Sequence, residues 1–181
     1  MDVERFVDEC RAALPEGPKA VREVVARAVA EPGRVTAALG EPHRAGVTTL
    51  HRSADLTVLN LVWGPRMTIH PHNHRIWAVI GIYGGREDNI FWRRCPDQAN
   101  RVEAAGAKTI GAREVVPLGK DIIHSVTNPL PRLTAAIHVY GGDFFAPGRS
   151  EWDPEHLVEQ PYDAARAMQL FEDSNKFLKQ I

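Results

Sequence analysis

At Gly46 the apolar spacing of the chain changes from helical to strand-like, and helical spacing returns only after Tyr162. The runs Thr48–Arg52, Leu56–Trp63, Arg75–Tyr83, Asn89–Arg94, Arg113–Val116, Asp121–Thr127 and Leu133–Tyr140 are short and rich in β-branched and aromatic residues. Gly, Pro, Asn or Asp bounds them. Consecutive glycines reach positive φ cheaply, so Tyr83-Gly84-Gly85-Arg86 predicts a tight hairpin turn, and Asn128-Pro129-Leu130-Pro131 predicts a second turn. Strands in close succession without alternating helices argue for an antiparallel sandwich or barrel.

Helices are predicted on either side of this region. Val3, Phe6, Val7, Cys10 and Leu14 make one stripe over Val3–Leu14, and a second pattern runs from Pro18 to Leu39. Pro15-Glu16-Gly17 separates them, and Glu31-Pro32-Gly33 breaks the second so that its tail forms a short helix of its own. An exposed stripe on these helices would permit a homodimer. Ser150–Tyr162 reads as loop and Asp163–Lys179 as a closing helix. One domain is expected over 1–181, with a helical segment at 1–45, a barrel at 46–146 and a C-terminal loop and helix at 147–181.

Composition narrows the partners. A formal net charge of -1 gives no support for nucleic acid, and no run approaches the roughly 18 apolar residues of a membrane span. Met1-Asp2-Val3-Glu4-Arg5 is acidic where a secretory signal would be basic and then apolar, which predicts a cytoplasmic protein. Cys10 and Cys95 are too few for a disulfide framework or a cysteine-built zinc site.

The surplus is in histidine, of which there are eight. His70-Pro71-His72-Asn73-His74 places three imidazoles two residues apart, and an extended chain would send all three to one face. Several nitrogen ligands could then reach one metal ion, with His124 as a ligand from a distant strand. Imidazole suits Fe, Zn, Cu and Ni alike. Trp63, Trp77, Phe91 and Trp92 read as barrel core.

Gly111, then Pro117-Leu118-Gly119, His124 and Asn128, is similar to the second motif of the cupin superfamily. The first cupin motif asks for H-x-H followed by Glu, and Trp77, Ala78 and Val79 stand in that place. A cupin without this glutamate resembles thiol dioxygenases of the cysteine dioxygenase type, which use neutral histidines for iron. The run Trp63–His74, continuing through Arg75-Ile76-Trp77 to Gly81, looks like the H-x-H-x-x-W segment of bacterial members. His138-Val139-Tyr140 resembles their outer-sphere pair.

That resemblance implies a cupin double-stranded β-helix and Fe(II) held by His72, His74 and His124. Family spacing counted from Trp63 selects His72 and His74, whereas cupin spacing counted from Gly64 selects His70 and His72. The implied reaction oxidises a small thiol to its sulfinate with O2. Tyr140 would donate a hydrogen bond to bound oxygen or substrate, and His138 would orient the phenol. Arg52 is the best match for a substrate-carboxylate arginine, with Arg75 second and Trp77 beside the substrate. One departure is Ala136, where the family has a serine completing a triad with His138 and Tyr140. The alternatives are a cupin with another metal-dependent reaction, an isomerase or hydrolase, and a non-catalytic metal or small-molecule binding domain.

Overall fold

Both faces of the central strand are apolar, so the chain must cover it twice, and its helices and second sheet do so. The computed structural model describes residues 1–178. Helix α1 (Val3–Ala13) is capped by Asp2, whose side chain accepts from the Arg5 amide at 3.0 Å. Helices α2 (Pro18–Val29) and α3 (Pro32–Leu39) each open on proline, which explains the predicted break between them.

Eleven strands follow: β1 (Gly46–Arg52), β2 (Thr57–Trp63), β3 (Thr68–Asn73), β4 (Ala78–Gly84), β5 (Arg86–Cys95), β6 (Gln98–Gly111), β7 (Val115–Leu118), β8 (Ile123–Thr127), β9 (Thr134–Tyr140), β10 (Ser150–Trp152) and β11 (Glu159–Pro161). Helix α4 (Ala164–Leu178) closes the described chain, and Lys179 of the predicted closing helix lies outside it. The strands form two antiparallel sheets, ordered β1-β2-β9-β4-β7 and β11-β10-β3-β8-β5-β6. The four-strand sets β2-β9-β4-β7 and β3-β8-β5-β6 give the double Greek key of a jelly roll. This is the double-stranded β-helix expected, with helices before and after it.

Alternation along the strands sorts the core into two layers. Val58, Val79, Ile137 and Val139 face outward onto Phe6, Cys10, Val21 and Val25 of the helices. Leu59, Ile80, Ala136 and Tyr140 face inward and meet Ile69, Ile110 and Val126 inside the barrel. An added Cβ at Gly81 would collide with Val25, so glycine allows α2 to approach β4. The stripe of the N-terminal helices, expected to be exposed, is therefore buried against this sheet.

Several boundaries differ from the sequence reading. Strand β6 runs through Ala104-Ala105-Gly106-Ala107, where nothing signals a strand; pairing along β5 supplies the order that propensity does not. β10 and β11 lie in the predicted loop. β4 begins at Ala78 rather than Arg75, because Arg75 adopts φ 57 in a turn after His74.

Candidate metal centre

Register brings His72 opposite His124, as Cα partners on the antiparallel strands β3 and β8. The ladder slips between Ile69 and His72, where Pro71 has no amide hydrogen to contribute. This bulge breaks the period-two face expected of all three histidines. His70 lines a small recess with Glu151, Tyr162 and Arg166, while His72 and His74 line the barrel cavity.

Ligand atoms of His72, His74 and His124 lie within 4.8 Å of one another, all three side chains being buried. His72 Nδ1 donates to the His70 carbonyl at 2.9 Å, and His124 Nδ1 donates to Asn89 Oδ1 at 2.8 Å. Those bonds fix the tautomers and leave both Nε2 atoms as lone pairs. Both point at His74 Nε2, from 3.1 and 3.3 Å. One proton on His74 could satisfy only one of them, whereas a cation would satisfy all three nitrogens. The donor set therefore fits a divalent metal with open positions, and no carboxylate joins it among the described residues.

Burial also keeps the ligands neutral. It lowers the His72 imidazole to about 4, with the His70 carbonyl opposing the shift. Burial and then the neighbouring imidazoles hold His74 and His124 well below the ordinary histidine value. The unfolded chain thus binds more protons, so stability is full above about pH 6.5 and falls as the pH drops toward 4. Thermal melts of the metal-free protein should show a loss of about 1.4 kcal/mol per pH unit for each histidine still to be protonated in that window. Added metal should raise the stability overall and extend the same slope to lower pH, because a bound ion keeps the native imidazoles unprotonated while the unfolded chain still takes up its protons near pH 6.5.

The cavity next to this cluster measures about 210 Å³ and is mostly apolar, with Leu61, Val126 and Phe171 in its wall. Tyr140 stands with its ring edge-on to His74, centroids 5.1 Å apart, and burial raises its phenol. Its hydroxyl is 3.0 Å from His138 Nδ1. Ala136 is buried on the same face of β9 and offers no polar atom there.

Arg52, Arg75 and Trp77 are not brought into the cavity wall. Arg52 is exposed and held by Asp143 in a two-pronged pair at 2.8 and 2.9 Å. Arg75 reaches only toward Ser150, at 3.4 Å. Trp77 packs against the helical core and covers Gly141. The arginine that does line the cavity is Arg149, between the rings of Phe144 (4.2 Å) and Tyr162 (4.1 Å). Its Nη1 is buried with no hydrogen-bond partner among the described residues. Sequence reasoning missed Arg149, Asn89 and Glu87. A histidine in the strand pattern implies a partner, but its identity has no local signature.

Fold and site together define a double-stranded β-helix barrel with a three-histidine cluster able to hold a metal. No family model matches the chain. Among solved structures it is similar to an RmlC-like cupin family protein from Methanocaldococcus jannaschii, at 10% identity and TM-score 0.48 over 58% of this chain and 86% of that one. It is also similar to the DMSP lyase DddQ from Ruegeria pomeroyi, at 16% identity and TM-score 0.47 over 62% and 53%. An oxalate decarboxylase from Bacillus subtilis gives 13% identity and TM-score 0.45 over 59% and 28%. At such identities the chemistry has to be read from this chain's own residues. Among those described, no helix is long and apolar enough to cross a membrane.

Proposed function

We propose that the chain is a metal-dependent enzyme that uses Fe(II) at His72, His74 and His124 to oxidise a small carboxylate-bearing thiol, of the cysteine or 3-mercaptopropionate type, to its sulfinate with O2. The observation that carries this reading is the charge balance of the cavity. Its metal ligands are neutral imidazoles, and Arg149 is the one permanently charged side chain in its wall among the described residues. A divalent ion there leaves its charge uncompensated, so the favoured ligand brings two negative groups.

When bound, iron would supply the redox chemistry that joins both atoms of dioxygen to a thiolate sulfur. The protein's own groups do the rest. Arg149 presents a planar fork to the carboxylate, stiffened by the two rings that enclose it. Phe144 touches both Arg149 and His74, so it sets the distance between the two anchoring points. The apolar wall limits water around the reacting sulfur.

The test is oxygen consumption by anaerobically purified, Fe(II)-loaded protein given cysteine, 3-mercaptopropionate or cysteamine. Uptake should match sulfinate formation one to one, and cysteamine, which lacks the carboxylate, should be the poorest substrate. Bound iron without thiol-dependent uptake would overturn this reading in favour of another metal-dependent reaction.

A further inference from the structure

Glu87 on β5 is fully buried inside the barrel. The indole of Trp63 donates to its Oε1 at 2.5 Å, and His138 Nε2 lies 3.4 Å from the same oxygen. Its Oε2 is buried with no partner among the described residues. Placing a carboxyl group in an apolar interior is costly, and these contacts offset only part of that cost.

The direction of each hydrogen bond around Glu87 follows from the donor inventory. An indole nitrogen can only donate, so Oε1 is the accepting, unprotonated oxygen. His138 Nε2 faces that oxygen and therefore carries the ring proton. In the neutral ring Nδ1 is then a lone pair, and the Tyr140 hydroxyl, 3.0 Å away, must donate to it. With its proton spent on His138, Tyr140 has only oxygen lone pairs to offer the cavity. A serine at position 136 could donate or accept and would leave this direction open; Ala136 cannot intervene.

We infer that Glu87 is a positioning residue that, braced by Trp63, holds His138 in its Nε2–H form and so makes Tyr140 a hydrogen-bond acceptor toward the cavity. The ligand class selected beside the metal centre is one that presents an X–H donor, such as a thiol, hydroxyl, amine or water. This reverses the donating role that the family resemblance implies for Tyr140. It rests on the side chains alone and holds whether the reaction is thiol oxidation or another.

The test is the ring ¹⁵N spectrum of His138 in the full chain, metal-free and loaded with diamagnetic Zn(II), with the signals assigned by a His138→Gln variant. Wild type should show Nε2 protonated and Nδ1 bare. Glu87→Gln keeps an accepting oxygen and should preserve that pattern. Glu87→Met removes the acceptor and should shift the ring to Nδ1–H or to a mixture, with the backbone spectrum otherwise unchanged. Glu87→Leu is a second acceptor-free variant should the first fail to fold. A wild-type ring protonated at Nδ1, alone or together with Nε2, overturns the inference without any variant. An unchanged tautomer in the acceptor-free variants overturns the role of Glu87.

Discussion

Alanine at His74 should abolish metal binding, while alanine at His70 leaves it intact. His74 Nε2 is the point toward which the lone pairs of His72 and His124 converge, so its removal leaves two ligands on adjacent strands and no third side to the cage. Outer-shell changes alone cost about 10–100-fold in metal affinity, and loss of a direct ligand should exceed about 100-fold. His70 enters the site only through its backbone carbonyl, which accepts from His72 Nδ1, and alanine keeps that carbonyl. Metal content by elemental analysis and affinity by calorimetry decide the matter. Retention of metal by His74→Ala, with loss in His70→Ala, would reassign the ligand pair to His70 and His72.

Truncating Arg149 should produce the second large effect. Arg149→Ala removes the guanidinium whose Nη1 is buried without a partner among the described residues, and the anionic end of a thiol carboxylate then meets no permanently cationic side chain in the cavity wall. Loss of one partner from a desolvated charge pair costs about 2–5 kcal/mol. Arg149 is only half buried, so the lower end applies, about 30-fold in apparent affinity. Arg149→Lys should recover only part of this, because an ammonium neither forks nor stacks between Phe144 and Tyr162. Arg52→Ala is the control. Its exposed pair with Asp143 is worth at most about 1 kcal/mol, and kinetics with cysteine or 3-mercaptopropionate should not change. An Arg149→Ala protein as active toward carboxylate thiols as wild type would remove this residue from substrate binding.

The two large effects differ in how visible they are along the chain. The histidines stand in a spacing that marks them in the sequence itself. Arg149 is one of many arginines, in a stretch read as loop, and nothing near it distinguishes it from Arg52 or Arg75. Its selection depends on Phe144 folding back five residues earlier and Tyr162 arriving from beyond β11. Glu87 is similar: it falls between the predicted turn at Tyr83–Arg86 and the predicted strand from Asn89, yet β5 turns it inward while Arg86 and Asp88 pair with each other at the surface.

Strand content was legible for the same reason that β6 was not. Where both faces of a strand are buried, a continuous apolar run bounded by turn residues writes it into the sequence, as in β9 and β4. Where pairing along an exposed arm holds the strand, as in β6, small and polar residues suffice and no period appears. The local sequence by itself determined a helical start, an antiparallel barrel and a histidine-rich strand, because periodicity and spacing depend only on near neighbours. Tertiary structure alone decided which histidines meet, which arginine faces the cavity and which way the Tyr140 proton points. Those outcomes depend on strand register, on the bulge at Pro71 and on contacts between residues far apart in sequence, none of which a local pattern can encode.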